Sequence, residues 1–492
     1  MLFRRIVDDK LAQYAYLVGC QRTGEALLID PERDIDRYLA MAEEEELRIV
    51  AVTETHIHAD FLSGAREFAE RGVKVYLSGV GGPDWSYRWP AETDYDVAFL
   101  EDGGTFRVGN IEIRTVHTPG HTPEHVSFLI VDRGGGADEP MGMVSGDFVF
   151  VGDTGRPDLL ESAAGIEGAM EEGAHTLYRS VQRFLELPDW LQLWPGHGAG
   201  SACGKALGAV PESTVGYERR FSPALGAARK GEEAFLSYVL DAQPEPPLYF
   251  GRMKTLNRDG PPLLGALPRP RRLSADELGE GSTRSDVALL DTREDRSAFM
   301  RGHLPRSLYA PLDKTFPTVA GSYVRPEERI HLLVEEDRLE EAVRALVRIG
   351  LDRIEGWAPL DALESWAAAG GAMATIEEID ILDVHERRGR QEGVVLDVRR
   401  LAEYREGHVP GALNVAHTRL AARIGEIPRD RELLVQCRTG SRSAVAAAFL
   451  EREGYRAVYV NGLFDDWVTA RDTEAGEPPA SGREARVEGT AT

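Results

Sequence analysis

The chain has few cysteines, no long apolar run and no basic excess, and each shortage excludes a class of protein. Its 492 residues contain three cysteines, Cys20, Cys203 and Cys437, too few and too scattered for a disulfide framework. No stretch approaches the roughly 18 consecutive apolar residues of a membrane-spanning helix. Lysine and arginine number 57 against 82 aspartates and glutamates, and the formal net charge of −25 would repel a phosphate backbone. We therefore expect neither a membrane nor a nucleic acid as partner.

The amino terminus does not have the pattern of a secretory signal. In MLFRRIVDDKLAQYAYLVG, charges and glutamine interrupt what would have to be a continuous apolar segment. We therefore expect the protein to stay in the cytoplasm, with reduced thiols. Because a single core stops growing near roughly 250 to 300 residues, we also expect about two to four domains.

Apolar strand patterns alternate with helical ones, as in an α/β protein. Breaks rich in glycine and proline at residues 242–250 and 260–272 predict a linker over 246–270. Residues 473–492 lack aromatic residues, and we expect a disordered tail there. The predicted strands are Ile49–Val52, Ile111–Val116, Val126–Val131 and Met143–Ser145. The predicted helix is Ala174–Leu187.

The second half of the chain repeats itself. The tripeptide DTR at 291–293 returns as DVR at 397–399 (397 − 291 = 106), and GHLP at 302–305 returns as GHVP at 407–410 (407 − 302 = 105). A period near 106 is much longer than that of a solenoid repeat. It predicts two homologous domains in tandem, with the boundary near 369–374.

A group of histidines and aspartates is spaced as metal ligands are. In T-H-I-H-A-D-F, His56, His58 and Asp60 follow an apolar strand and precede a helix. Strand ends are where ligands collect in α/β folds. Because such residues recur beside glycine or proline at later strand ends, we predict a metal site. The later candidates are His117, His121, Asp147 and His197.

These residues resemble the metallo-β-lactamase superfamily over about residues 1–245. The resemblance implies an αββα sandwich, two stacked sheets flanked by helices, with the metal between them. Within the superfamily, GDFVFVGDTGRPD at 146–158 and PGHGAGSACGKALG at 195–208 look most like the persulfide dioxygenases fused to sulfurtransferase domains.

That resemblance implies one Fe(II) bound by His56, His121 and Asp147. Two imidazoles and a carboxylate leave coordination positions open for dioxygen and a substrate sulfur. The remaining site residues implied are His58, Asp60 and His197, which would orient ligands or substrate, and Arg156, which would hold an anionic group of the thiol carrier. Cys203 either accepts sulfur from substrate or is inert.

Phe61 favours one metal per chain. In dinuclear members of the superfamily, a histidine at this position helps to hold a second ion. Phenylalanine has no lone pair, so a second ion would keep only Asp60, His197 and at most a bridging Asp147. Phe61 also begins an apolar stripe at helical spacing, and packing in the core is a compatible interpretation.

The last repeat carries a reactive cysteine. Cys437 follows the strand ELLVQ and begins the loop C-R-T-G-S-R, which closes at a helix over about residues 442–453. Inward-pointing N–H groups and the helix dipole favour an anion in such a loop. Arg438 and Arg442 add positive charge, so we expect Cys437 to react as a thiolate.

DVR, GHVPGA and CRTGSR together resemble rhodanese domains over about residues 376–472, an α/β fold with a central parallel sheet. In that family the loop cysteine carries sulfane sulfur as a persulfide. The middle repeat, residues 271–370, lacks the cysteine and places Glu335, Glu336 and Asp337 at the loop position. We therefore expect an inactive rhodanese-like domain that packs between the active parts.

These features predict a bifunctional enzyme of sulfide detoxification. The first domain would oxidise a small thiol persulfide with O2 to sulfite, and Cys437 would pass sulfane sulfur to sulfite, giving thiosulfate. One alternative is a zinc-dependent thioester hydrolase resembling glyoxalase II, and another is a non-catalytic persulfide carrier or sensor that uses Cys437 alone. The superfamily resemblance also implies self-association into a homo-oligomer.

Overall fold

The computed structural model describes the chain apart from residues 163–167, 206, 242, 244, 390–392, 472 and 477–492. It forms two compact units, residues 1–267 with 343–351 and residues 268–342 with the described part of 352–492. Within the described ranges, no helix has the length and apolar character needed to cross a membrane. Most of the predicted disordered tail, residues 477–492, lies outside the described residues. Glu474 forms an isolated β-bridge with His408.

The first unit contains two six-stranded sheets. Its strands are β1 (Leu2–Asp8), β2 (Gln13–Cys20), β3 (Glu25–Ile29), β4 (Arg48–Thr53), β5 (Lys74–Ser78), β6 (Val97–Leu100), β7 (Thr105–Val108), β8 (Ile111–His117), β9 (Val126–Asp132), β10 (Gly142–Gly146), β11 (Gln192–Pro195) and β12 (Ser213–Thr214). Its helices are α1 (Asp36–Glu44), α2 (Ala65–Glu70), α3 (Leu159–Ser162), α4 (Ala169–Leu185), α5 (Val215–Phe221), α6 (Pro223–Lys230), α7 (Glu232–Leu240) and α8 (Tyr249–Asp259). The sheet orders are β1-β2-β3-β4-β5-β6 and β12-β11-β10-β9-β8-β7.

The two sheets pack face to face, with helices on both outer sides. Val18 of the first sheet and Phe128 of the second share one apolar cluster between the sheets. Tyr38 of α1 and Phe68 of α2 cover the outer face of the first sheet, and Val181 of α4 covers that of the second. Because β2 is covered on both faces, all eight of its residues are buried. The expected αββα sandwich is confirmed for this unit.

The strands and the helix predicted from the apolar patterns are present, but their ends differ from the predicted positions. Each of the four predicted strands is present and extends by one or two residues, and the predicted helix begins earlier, at Ala169. Helix α8 lies within residues 246–270, the predicted linker. Phe250 and Met253 of α8 are buried in the first unit, and this apolar face explains why the segment is helical.

The second unit contains two five-stranded parallel sheets. Their strands are β13 (Arg271–Arg272), β14 (Val287–Asp291), β15 (Leu308–Tyr309), β16 (Arg329–Leu333) and β17 (Ile354–Ala358), then β18 (Glu377–Asp380), β19 (Gly393–Asp397), β20 (Leu413–Asn414), β21 (Glu432–Gln436) and β22 (Ala457–Asn461). The helices are α9 (Ala275–Ser282), α10 (Arg296–Arg301), α11 (Phe316–Tyr323), α12 (Leu339–Arg348), α13 (Asp361–Ala368), α14 (Val384–Gly389), α15 (Leu401–Glu406), α16 (Ser441–Arg452) and α17 (Phe464–Ala470).

The two parallel sheets share one topology. Their orders are β13-β17-β16-β14-β15 and β18-β22-β21-β19-β20, so each strand of one occupies the position of its counterpart in the other. The shared strand order agrees with the repeat in the sequence. Helix α12 spans the division between the two units. Its residues up to Ala342 belong to the second unit, and its residues from Val343 onward belong to the first.

Candidate metal centre and cysteine loop

Three donor side chains converge where strands of the first unit end. His56 and His121 follow β4 and β8 after short turns, and Asp147 follows β10 directly. One donor atom from each lies within 4.8 Å of the others, and all three residues are buried. Nε2 of His56 lies 3.9 Å, and Nε2 of His121 3.6 Å, from Oδ2 of Asp147. These are the three residues that the family resemblance implied as metal ligands.

The protonation and hydrogen bonding of this cluster fit a divalent cation. Burial lowers the pKa of His56 well below its usual value and that of His121 to about 4, so both imidazoles are neutral at neutral pH. Burial opposes the ionisation of Asp147, but His197 holds the pKa of that carboxyl below its ordinary value. Oδ2 of Asp147 has no hydrogen-bond partner among the described residues. A buried oxygen of this kind is costly unless a cation satisfies it.

Neighbouring groups fix the two histidines with Nε2 facing the cluster. Nδ1 of His56 lies 2.9 Å from Oγ1 of Thr55, and this hydroxyl donates to Asp30 at 2.9 Å. Nδ1 of His121 lies 3.1 Å from the carbonyl oxygen of Arg156. Because both oxygens accept from an Nδ1–H, the network assigns the proton to Nδ1 and leaves the Nε2 lone pair for a metal.

Two further histidines orient Asp147. Its backbone N–H donates to Nε2 of His125 at 3.0 Å, and its Oδ1 lies 2.8 Å from Nδ1 of His197. Nε2 of His197 lies 2.8 Å from Asp60. Burial opposes protonation of His197, but the two carboxylates raise its pKa well above the ordinary value. His197 thus links Asp60 to Asp147. The sequence pattern did not single out His125.

The loop that carries His58 and Phe61 is held by a distant residue. Asn257 of α8 donates through Nδ2 to the carbonyl oxygens of His58 and Phe61 at 2.8 and 2.7 Å, and its Oδ1 accepts from the Ser63 amide. Phe61 is fully buried with its ring centroid 4.3 Å from that of His58. Nε2 of His58 lies 3.1 Å from Asp30. No local spacing marks Asn257, which is nearly 200 residues away in sequence.

A second group of potential donors adjoins the first. One atom from each of Asp60, His197 and Cys203 lies within 4.8 Å of the others. Cys203 was not among the donors predicted for a second ion, so the structure adds a sulfur to that set. Burial raises the pKa of Cys203 well above its usual value, which favours the neutral thiol. His197 lies between two carboxylates, so an ion bound by this group would have to displace protons from His197 and Cys203.

Two other predicted site residues, Arg156 and His117, have hydrogen-bond partners of their own. Arg156 is buried, and its Nε and Nη2 donate to the two carboxylate oxygens of Asp158 at 2.8 and 2.6 Å. Arg156 is therefore held in a buried salt bridge. His117 is partly buried with Nε2 2.8 Å from the carbonyl oxygen of Pro123. It lies outside the cluster of potential ligands.

Cys437 lies at the end of β21 beneath the first turn of α16. Its side chain is buried, and the backbone N–H of Ser443 points at Sγ from 3.4 Å. Oγ of Ser443 lies 3.5 Å from the same sulfur. Gly440 has φ +87°, a left-handed conformation that lets the loop turn into the helix. The predicted arrangement of strand, cysteine loop and helix is present.

The two arginines of the loop differ from the expected pair of free cations. Arg442 donates from Nη1 and Nη2 to the carboxylate of Glu403 at 2.6 and 2.8 Å. Its charge is therefore matched by a partner from α15, which sequence spacing could not reveal. Arg438 has a side chain 58% exposed, 3.6 Å from Asp465.

Comparison with known proteins identifies two regions. The metallo-beta-lactamase superfamily model matches residues 8–197, and the rhodanese-like domain model matches 381–470. A crystal structure described as a metallo-beta-lactamase from Staphylococcus aureus subsp. aureus COL is similar over 73% of this chain and 99% of that chain. Its sequence is 40% identical and the TM-score is 0.66.

Curated relatives match the first half of the chain. The mitochondrial persulfide dioxygenase ETHE1 of Bos taurus is 28% identical over 229 residues, covering 46% of this chain and 76% of the relative. The probable polyketide biosynthesis zinc-dependent hydrolase BaeB of Bacillus velezensis is 25% identical over 214 residues, covering 42% of this chain and 82% of the relative. Relatives named for oxidation and for hydrolysis thus share this fold.

Proposed function

The chain belongs to the metallo-β-lactamase superfamily, and we propose that it is a bifunctional enzyme of sulfide metabolism. Its first unit would oxidise a low-molecular-weight thiol persulfide, and its Cys437 site would transfer sulfane sulfur to sulfite. The observation that carries the proposal is the His56, His121 and Asp147 cluster in a chain that also has a rhodanese cysteine loop. The similarity to persulfide dioxygenases supports the same substrate class.

The proposed oxidation balances as R–S–SH + O2 + H2O → R–SH + SO3²⁻ + 2 H⁺. Fe(II), one per chain, would be held by His56, His121 and Asp147 and would supply open positions for dioxygen and the terminal sulfur. Thr55 and the Arg156 carbonyl keep the imidazoles in the ligating tautomer, as the hydrogen bonds indicate. The remaining side chains exclude water, because the whole cluster is buried.

The hydrogen bonds around the cluster also support the proposed roles of the neighbouring residues. His58, Asp60 and His197 orient the donor set through the hydrogen bonds to Asp30 and Asp147. Arg156 would contribute to binding the thiol carrier, while Asp158 holds its guanidinium in place. Cys203 adjoins this group as a buried thiol. Whether glutathione, coenzyme A or another thiol carries the sulfur is left to the assay.

At the second site, Cys437–SH would first take sulfur from another persulfide: Cys437–SH + R–S–SH → Cys437–S–SH + R–SH. The Ser443 N–H, 3.4 Å from Sγ, favours negative charge on sulfur. Having both sites in one chain raises the effective concentration of sulfite near its acceptor.

We assign the middle repeat to an inactive rhodanese-like domain. Its sheet has the topology of the last repeat. The strand pairing makes Val334 the counterpart of Cys437, and the carboxylates Glu335, Glu336 and Asp337 follow it in the loop. The domains proposed are residues 1–245, 271–370 and 376–472, with α8 as an addition to the first.

Metal analysis and oxygen uptake test the oxidation. Anaerobically purified protein should hold about one iron per chain and consume O2 when a thiol persulfide is added. Asp147→Asn should lose both properties yet retain sulfur transfer, and Cys437→Ser should show the converse. No O2 uptake by iron-loaded protein would refute the dioxygenase assignment. Loss of both activities in Cys437→Ser would refute the division between sites.

A zinc-dependent thioester hydrolase is the second candidate, favoured by the Asp60, His197 and Cys203 group and by the similarity to a zinc-dependent hydrolase. It predicts two zinc ions per chain and thioester cleavage without O2 uptake. The same metal analysis therefore distinguishes the two candidates.

A further inference from the structure

An arginine from the middle repeat lies over the cysteine loop of the last repeat. Nη1 of Arg296 donates to Oγ of Ser441 at 3.1 Å, and Nη2 donates to Oδ1 of Asn461 at 3.0 Å. Both acceptors are neutral. Within the described part of the chain, no carboxylate oxygen lies within salt-bridge distance of Arg296. Glu378 bonds to Asn461 and to Ser297 instead.

Three polar groups approach the same point above the loop. A Cβ atom placed on Gly440 would lie 2.7 Å from Oδ1 of Asn461, 2.7 Å from the hydroxyl of Tyr459 and 3.1 Å from the guanidinium carbon of Arg296. Tyr459 is fully buried, and its hydroxyl has no hydrogen-bond partner among the described residues. A buried donor without a partner is costly, so this hydroxyl is available to donate to a ligand beside Arg296.

The loop's own arginines are less suited to this position. Arg442 already forms a two-point ion pair with Glu403, and Arg438 is mostly exposed beside Asp465. Arg296 is partly buried and uses two of its five N–H donors on neutral partners. In the last repeat the equivalent position, the first residue of α15 and 105 residues later, is Leu401, so this arginine is not part of the pattern shared by the repeats.

We propose that the inactive repeat supplies the Cys437 site with its anion-recognition residue, Arg296, which with the Tyr459 hydroxyl binds a small sulfur oxyanion. The proposal rests on the sulfur-transfer function proposed above and assigns the binding of its acceptor. The transfer is Cys437–S–S⁻ + SO3²⁻ → Cys437–S⁻ + S2O3²⁻. The sulfite lone pair forms a bond to the outer sulfur, and the electrons of the broken S–S bond return to Sγ of Cys437. Arg296 would offset the repulsion between these two anions.

Arg296→Gln in the full chain tests this, with Arg301→Gln as the matched control. Arg301 is in the same helix with a side chain 70% exposed, so it loses the same charge away from the loop. Arg296→Gln should raise the KM for sulfite by about tenfold or more, the effect of losing a charge-assisted hydrogen bond. Transfer to dithiothreitol, a neutral acceptor, should stay at the wild-type rate. An unchanged KM for sulfite, or an equal loss with both acceptors, would overturn the proposal.

A second measurement does not depend on turnover. Sulfate, an unreactive oxyanion, should slow alkylation of Cys437 by iodoacetamide in the wild type and in Arg301→Gln, but not in Arg296→Gln. If wild-type protein fails to transfer sulfur to sulfite, the proposed function of this site fails, while sulfate protection that depends on Arg296 still supports an anion site. Equal protection in all three proteins would overturn the role of Arg296.

Discussion

Replacing Arg348 with methionine should destabilise the first unit by about 3 to 4 kcal/mol at pH 7. Its guanidinium is buried and contacts Asp8 at 2.6 Å, Glu32 at 3.0 Å and Asp34 at 2.7 Å. In the variant, Glu32 keeps its ion pair with Arg37, and Asp34 keeps its ion pair with Arg344. Asp8 loses the ion pair with Arg348. Breaking a buried pair costs about 3 to 5 kcal/mol, whereas methionine keeps much of the apolar stem.

Protonation of Asp8 limits that cost. Burial opposes its ionisation, but the Arg348 guanidinium holds the pKa of Asp8 below the ordinary value of 3.8. Once Arg348 is removed, neutralising Asp8 at pH 7 costs about 1.4 kcal/mol for each of about three pH units, or about 4 kcal/mol. In the wild type, the stabilisation from this depressed pKa is complete above about pH 4 and is lost as pH falls through the folded-state pKa. In the variant, the cost of neutralising Asp8 falls to about 1.5 kcal/mol at pH 5, so the deficit should be smaller at pH 5 than at pH 7.

Hydrogen exchange in the first unit measures the effect. The Leu62 amide donates to the Arg348 carbonyl at 2.7 Å, so peptides covering Leu62 report on this contact. Arg4→Met, in the more exposed pair with Glu45 of the same unit, should change stability by at most about 1 kcal/mol. Adding Asp8→Asn to Arg348→Met should restore stability, because it removes the unpaired charge. A deficit below about 1 kcal/mol, or one independent of pH, would refute the reasoning.

Three further predictions concern single positions. Phe61→His should allow the protein to bind a second metal ion, detected as a rise from one to two metals per chain by elemental analysis, because it adds an imidazole beside the Asp60 group; an unchanged count would contradict this. Gly440→Ala should reduce sulfur transfer at least about tenfold while O2 uptake persists, since it forces strain at φ +87° and a contact with the Tyr459 hydroxyl. Hydrogen bonds from Arg133 and other arginines hold the pKa of Glu112 at about 2, so its contribution to stability is complete above about pH 4.5 and is lost as pH falls toward 2. Glu112→Gln should flatten that part of the acid-unfolding curve, and a curve unchanged from the wild type would contradict the assignment.

The sequence was sufficient where function follows local spacing. His56, His121 and Asp147 each follow a strand, and the end of a strand places its next residues at one edge of the sheet. The Cys437 loop depends in the same way on a strand, a glycine and a helix within a few residues. The repeat of 106 residues predicted two domains, and the shared strand order agrees with it. Period and spacing are local properties, so they can be read without the fold.

Only the tertiary structure decided how these groups are paired. Asn257 holds the Phe61 loop from α8, Glu403 neutralises Arg442, and Arg296 reaches the loop of another repeat. Such partners are tens to hundreds of residues apart, and any carboxylate or amide in the chain could have supplied the same hydrogen bonds. Packing of the sheets and helices selects one of them, because burial makes an unpaired charge or polar atom too costly to leave. The sequence thus determines which chemistry is present, and the fold determines which charges remain free to perform it.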